Sequence, residues 1–350
     1  MKLRVAFVGC GWWTTFAHIP TALAAPDVQV VGIADSDPGR LAATENRFGL
    51  SAAYADAHEM LATVDCEAVV VATPNSTHYG YARKALELGR HVLLEKPMVV
   101  DPTEGWELCT LAQRSGLQMV VGYATHYNTQ AQRLKEEIAD GRLGDLENVA
   151  CLYASIVREL YAGNPATYTD VFGYTVHGPA AATYTTPAIS GGGQGQSQLT
   201  HAAALILWAT GLTPTQVAAM THNSGLPVDL VDGVLVRFDN NAVGTISTTG
   251  GLHPDHEEII ELSVFGRSGH AVLNVTQGTC VIHDANGIET LPTLPRNRRV
   301  PESGPLLNLI ELIRTGGPNH SPPEIGASTA QFVDAMYRSA SEGRTIVLTR

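Results

Sequence analysis

Five short runs rich in Val, Ile and Leu recur through the first third of the chain, Leu3–Val8, Val28–Ala34, Ala68–Ala72, His91–Leu94 and Gln118–Gly122, with longer mixed stretches between them. This rhythm constrains the fold more than any other feature, because nearly continuous apolar strands suit a parallel sheet buried on both faces, and parallel strands need long crossovers. Two of the intervening stretches, "DPGRLAATENRFG" (37–49) and "THYGYARKALELGR" (77–90), carry apolar residues at helical spacing and end near a glycine. A doubly wound α/β domain is therefore expected over residues 1–122.

The texture changes after residue 123. A helical stretch at 129–144 leads into the alternating run "LENVACLYASIV" (146–157), which reads as a long half-buried strand. Further strand runs follow at Val217–Met220, Gly233–Asp239, Ala242–Thr248, Glu258–Phe265, His270–Val275 and Thr279–His283. Turn sequences such as "GRSG" and "DANG" punctuate them, so consecutive strands should pair antiparallel. Residues 123–350 are read as an α+β domain with a large, mostly antiparallel sheet, closed by a helix and strand at 324–349. At 350 residues the chain has room for both cores.

Composition narrows the function. A formal charge of −12, with no Lys/Arg cluster beyond "PRNRRVP" (295–301), argues against a nucleic-acid binder. No apolar run approaches the ~20 residues of a membrane helix, and no signal-peptide core precedes the first glycines. Five scattered cysteines without a Cys-x-x-Cys pair suit reduced thiols. A cytoplasmic protein is expected, and no His/Cys/Asp spacing resembles a metal-ligand set.

The chemistry gathers at strand ends. Gly9 and Gly11 follow the first strand as a Gly-x-Gly whose third glycine is replaced by Thr14. The first glycine allows the tight turn and the second lets a pyrophosphate approach the backbone at a helix start, so the anion site survives the loss of the third. Asp35 ends the second strand, where a carboxylate accepts hydrogen bonds from the adenosine ribose and repels a 2′-phosphate. With Ser36 and Asp37 next, NAD is favoured; Arg40, a turn further, keeps NADP open. Ala72–Asn75 forms a strand end turning at Pro74, and the fourth run ends in Glu95-Lys96-Pro97. In "SGGGQGQSQLTHAAALILWATG" (190–211), Ser197 and His201 lie one turn apart on a helix.

These segments together resemble the Gfo/Idh/MocA oxidoreductases. The likeness covers nearly the whole chain through "VGCG" (8–11), "ATPNSTH" (72–78), "ALELGRHVLLEKPM" (85–98), "LKEEIADGRLG" (134–144), the "GGG…H" segment (191–201) and "AMYRSASEGRTIVL" (335–348). The resemblance implies a Rossmann domain, an open-faced sheet that mediates a homodimer or homotetramer, and hydride transfer between a nicotinamide and a secondary hydroxyl or ketone of a sugar, glycoside or cyclitol. By the same resemblance Lys96 is the active-site lysine and His201 the histidine beside the carbinol. Glu95 and Pro97 shape the cofactor pocket, and Ala72, Thr73, Pro74, Asn75 and His78 pass along the dinucleotide. An imidazole taking the hydroxyl proton and an ammonium steadying the alkoxide are chemically suited to those roles.

The chain departs from the family pattern where substrate is met. Ser197 stands in place of the usual Asp one turn before the histidine, and His126 is the nearest titratable group after the strand ending near Gly122. Gln194, Gln196 and Gln198 could read sugar hydroxyls or face solvent. The stretch 158–189, with Tyr161, Tyr168, Tyr174, His177 and Tyr184, could build a substrate pocket, an interface arm or a lid; His177 and Tyr184 are the first candidates within it. Of Trp12 and Trp13, one is expected beneath the first helix and the other over the nicotinamide end or the substrate entrance. Two other activity classes use the same residues: glycoside cleavage through transient oxidation on a tightly held cofactor, and a non-catalytic NAD-binding sensor or partner protein.

Overall fold

Six parallel strands build the first sheet: β1 (Leu3–Val8), β2 (Val28–Ala34), β3 (Ala53–Tyr54), β4 (Ala68–Val71), β5 (His91–Leu94) and β6 (Met119–Val121), in the order β3-β2-β1-β4-β5-β6. The computed structural model describes residues 1–348; Thr349 and Arg350, at the end of the expected closing segment, lie outside the described residues. Strand order reverses between β1 and β4, the switch point at which open α/β sheets bind ligands beyond their carboxyl ends. The central residues of the longer strands are apolar because both faces are covered there: Val5, Phe7, Ile33, Val70, Leu93 and Val120 are all fully buried. Aspartate caps start two of the crossover helices. Asp37 accepts from the Arg40 N–H ahead of Pro38–Phe48, and Asp101 accepts from the Thr103 N–H ahead of Pro102–Ser115.

The chain divides into two compact units, but not at a single boundary. Residues 164–183 and 302–327 cluster with residues 1–122, and the second unit holds 123–163, 184–301 and the described residues from 328 on. The division at 122/123 therefore misses two returns of the chain. One has a plain cause: helix Gly304–Thr315 lays Leu306, Leu309, Ile310 and Leu312 into the core formed by Phe7, Leu93 and Val120. Burying that apolar stripe ties it to the first sheet.

The second unit is built on a nine-stranded sheet of β7 (Leu146–Ala154), β8 (Pro214–His222), β9 (Val231–Phe238), β10 (Val243–Thr249), β11 (Ile259–Gly266), β12 (Gly269–Asn274), β13 (Thr279–Asp284), β14 (Gly287–Thr290) and β15 (Ile346–Val347). Every pair is antiparallel except β10 with β7. Helices Thr129–Ala139 and Thr200–Thr210 pack on one face. The other face leaves Leu152, Leu235 and Phe265 39, 50 and 40% exposed. Expected strands are found within a few residues. The run expected over 146–157 ends at Ala154, where the chain turns.

Candidate functional site

The first glycine loop is shaped by contacts that its residues require. Gly9 has φ +94°, and a Cβ there would stand 2.5 Å from the Ala72 carbonyl oxygen, so only glycine lets the β1 and β4 ends approach this closely. Around Gly11 nothing lies within 4 Å of the place a side chain would take, which leaves its backbone open to a ligand. The helix begins at Trp12, so its first N–H groups face the loop, where a phosphate is favoured. Thr14, in the third-glycine position, is buried, and Thr14–His18 winds as a wider π-helical turn.

Asp35 closes the other side. Its carboxylate accepts the Cys10 N–H at 2.8 Å and the Asp37 N–H at 2.8 Å, and the Arg40 guanidinium lies 3.4 Å away. The residue that reads as a ribose acceptor thus also fixes the glycine loop. Burial and the Asp35 charge push the Cys10 thiol up to about 12, so it is un-ionised at neutral pH. Ser36 is exposed beside it. Loop, carboxylate and switch point fit an adenosine dinucleotide.

Glu95 is the hub of the same edge. Its Oε1 accepts from Trp13 Nε1 at 2.9 Å and meets His18 Nε2 at 2.8 Å, while Oε2 accepts the Lys96 N–H at 3.1 Å. Burial raises its pKa, but the bond and charge of His18, aided by Lys96, outweigh it and hold the carboxyl below the usual range. Gly122 makes room for it, since a Cβ there would lie 2.5 Å from Oε1. Lys96 itself is half-buried and Pro97 buried. Trp13 is therefore a strut between the glycine loop and β5, with its indole N–H committed to Glu95.

His78 spans two strand ends. Nδ1 lies 2.8 Å from the Pro97 carbonyl and Nε2 2.8 Å from the Thr73 carbonyl, with the ring 1% exposed. Burial keeps its pKa below the usual histidine value despite both carbonyls. Expected along the dinucleotide, His78 instead clamps the loops that carry Thr73 and Lys96. Thr73 and Asn75 stay half-buried and Pro74 exposed at that edge.

In the second unit His201 is half-buried at the start of its helix, stacked on Tyr153 at 5.7 Å and 16°, with Tyr123 edge-on at 6.0 Å. The Tyr123 hydroxyl is 3.0 Å from Thr200 Oγ1. The preceding loop is held from below. Asp229 accepts the N–H groups of Gly193 at 2.8 Å and Gly195 at 2.7 Å and the Tyr337 hydroxyl at 2.9 Å. Beside it Asp232 is buried and accepts from Thr248 Oγ1 at 3.0 Å. Burial, then the Asp229 charge, raises the Asp232 carboxyl to about 8, so it keeps its proton at neutral pH.

Several residues expected to meet substrate are placed otherwise. His126 is fully buried, stacked on Trp208 at 4.6 Å and 8° and 5.3 Å from the tilted Tyr123 ring, in the short turn after β6. Ser197 is 4% exposed, within reach of the buried Tyr161 hydroxyl. Gln194 and Gln196 are buried as well, so the solvent-facing alternative fails for both, while Gln198 remains half-buried. Tyr184 lies 6.4 Å from Tyr161 in the second unit. Tyr174 and His177 belong to the first unit, with Tyr174 edge-on to Trp12. His18, Tyr123, Tyr153, Asp229, Asp232 and Tyr337 carry no sequence signal of their own, although Tyr337 falls inside the quoted "AMYRSASEGRTIVL".

Comparison with known proteins identifies both parts of the chain. Residues 3–123 match the family described as "Oxidoreductase family, NAD-binding Rossmann fold", and residues 131–272 match "GFO/IDH/MocA C-terminal domain". The chain is similar to D-glucoside 3-dehydrogenase of Escherichia coli (strain K12), 30% identical over 144 residues, or 41% of each chain. It is also similar to 1,5-anhydro-D-fructose reductase of Ensifer adhaerens, 26% identical over 285 residues, or 79% of each. The chain spans 41 to 60% of the length of the first curated relatives that it matches. Its fold is that of GenD2 from gentamicin A biosynthesis, solved in complex with NAD, with TM-score 0.81, 24% identity and coverage of 100% of this chain and 97% of that one. With both parts matched in order along one chain, the protein belongs to the GFO/IDH/MocA family of oxidoreductases.

Proposed function

We propose that this protein is an NAD-dependent dehydrogenase or reductase acting on a secondary hydroxyl or ketone of a sugar, glycoside or cyclitol. The observation that carries the reading is the convergence of Gly9, Gly11, Asp35 and Glu95-Lys96-Pro97 on the carboxyl edge of one parallel sheet, in a chain of this family. The names of the relatives, a glucoside dehydrogenase and an anhydrofructose reductase, support the substrate class. The Asp35 carboxylate at the end of β2, with Arg40 engaged to it, supports NAD over NADP.

The bound nicotinamide supplies the hydride acceptor or donor. Lys96 steadies the substrate oxygen as it gains negative charge, and Glu95, held by His18 and Trp13, fixes the backbone from which Lys96 projects. His201 accepts the hydroxyl proton in oxidation and returns it in reduction, its ring orientation set by Tyr153. Gln198 is the remaining polar side chain at that helix start that is open enough to meet a hydroxyl.

The exposed apolar side chains on the open face of the second sheet, Leu152, Leu235 and Phe265, support association with a second copy. Five buried, unbridged cysteines support a reducing, cytoplasmic setting. No helix among the described residues is long and apolar enough to cross a membrane.

The test is NAD reduction by purified protein against a carbohydrate panel. Turnover should vanish in Lys96→Ala and His201→Ala while NAD binding persists; normal turnover in either variant refutes that residue's role.

A further inference from the structure

The segment 164–183 clusters with the dinucleotide unit rather than with His201, and its contacts follow the edge of that unit in a particular order. The Phe172 ring stacks on Trp12, the residue after Gly11, at 5.6 Å and 19°. Tyr174 meets the same indole edge-on at 5.8 Å and 64°. Beneath them Tyr168, 1% exposed, packs on Phe172 at 4.9 Å and anchors the segment. The Tyr174 hydroxyl donates to the Pro165 carbonyl at 3.1 Å and closes the segment upon itself. Farther along, His177 lies within electrostatic reach of Asp37, two residues beyond Asp35. The segment is thus seated on the pyrophosphate loop by two rings against Trp12, the point of this edge where an adenosine dinucleotide is held.

We propose that residues 164–183 are a strap forming a second wall of the dinucleotide site at the glycine loop, latched by the Trp12–Phe172 stack, and that the cofactor leaves only when this latch opens. The proposal rests on the NAD-binding reading above. It accounts for an indole placed directly after the second glycine: there Trp12 serves as the fixed half of a latch whose other half arrives from far along the chain. It also gives the aromatic residues of this segment a role other than stacking on sugar. Aromatic pairs of this kind are held by large buried area and by ring electrostatics, and both are lost on truncation to alanine.

The experiment is stopped-flow release of NADH from the loaded full-length protein, followed by nicotinamide fluorescence, in wild type, Phe172→Ala and His177→Ala. Limited proteolysis with and without NADH accompanies it, with cleavage mapped across 164–183. Phe172→Ala should release NADH about tenfold faster or more, as loss of a stacked ring predicts. His177→Ala should accelerate release less, and NADH should protect the strap of the wild-type protein from cleavage. Wild-type protein that binds NADH, with release unchanged in Phe172→Ala and strap cleavage indifferent to NADH, overturns the strap alone. Failure of the wild-type protein to bind NADH overturns the NAD reading and the strap with it.

Discussion

His18 Nε2 stands 2.8 Å from Glu95 Oε1, and both side chains are buried. The contact ties the helix after the glycine loop to the end of β5. Removing one partner of such a pair leaves the other buried and uncompensated, so His18→Ala should cost about 3 kcal/mol in urea denaturation. Because the folded pKa of Glu95 is depressed, its share of stability is present above the ordinary glutamate value of 4.5 and is lost as pH falls below it. Glu95→Gln should remove that acid-side slope, which denaturation at a series of acidic pH values checks.

Gly122→Ala aims at the same carboxylate from the opposite side. A methyl 2.5 Å from Oε1 must displace Glu95 or the backbone, at a cost of about 1–3 kcal/mol. Turnover should fall more than the lowered melting temperature explains, since Lys96 follows Glu95 directly. Activity measured well below the melting transition separates the two effects.

Asp232 gives the opposite pH dependence. Its folded pKa of about 8 lies above the ordinary 3.8, so the folded protein keeps a proton that the unfolded chain gives up, and stability falls as pH rises between these values. Asp232→Asn retains the neutral donor toward Asp229 and the acceptor for Thr248. It should match wild type in acid and become the more stable protein toward about pH 8, by a margin that grows with pH. Asp229→Ala, which strands two backbone N–H groups and the Tyr337 hydroxyl, should destabilise by about 3 kcal/mol or more, with His201-dependent turnover falling further.

Asp35→Ala tests cofactor choice. Loss of one charge-assisted acceptor should weaken NAD binding roughly tenfold, while the freed Arg40 improves NADP binding. Fluorescence titration with both dinucleotides reads the ratio. An unchanged preference would place the discrimination elsewhere on the β2 edge.

The first sheet was legible in the sequence because its signals are local. Five of its six strands are short runs rich in apolar residues, the helices from 38 to 48 and 78 to 87 end near a glycine, and the Gly-x-Gly and Asp35 sit at fixed offsets, whereas the two-residue β3 carries no such signal. Helix Pro102–Ser115 had equally local signals in Asp101, Pro102 and Gly116 that the strand rhythm overshadowed. What escaped were partnerships across distance. Nothing near His18 announces Glu95, 77 residues away, and nothing near Gly193 announces Asp229. His126 illustrates the reverse error, a titratable residue after a strand that reads as substrate-facing until Trp208, far along the chain, covers its ring. The alternation in 146–157 showed that one face of β7 is buried but not that Tyr153 supports His201.

The return of helix Gly304–Thr315 to the first sheet bears on how the protein is made. All six strands of that sheet have left the ribosome once Val121 emerges, yet the apolar ground that Leu306, Leu309 and Ile310 will cover stays bare until about 190 further residues have been synthesised. At about 5–20 residues per second, that interval lasts on the order of ten seconds or more. The nascent first unit is thus a natural client for a chaperone, and truncation before residue 304 should yield aggregate rather than an independent cofactor-binding module.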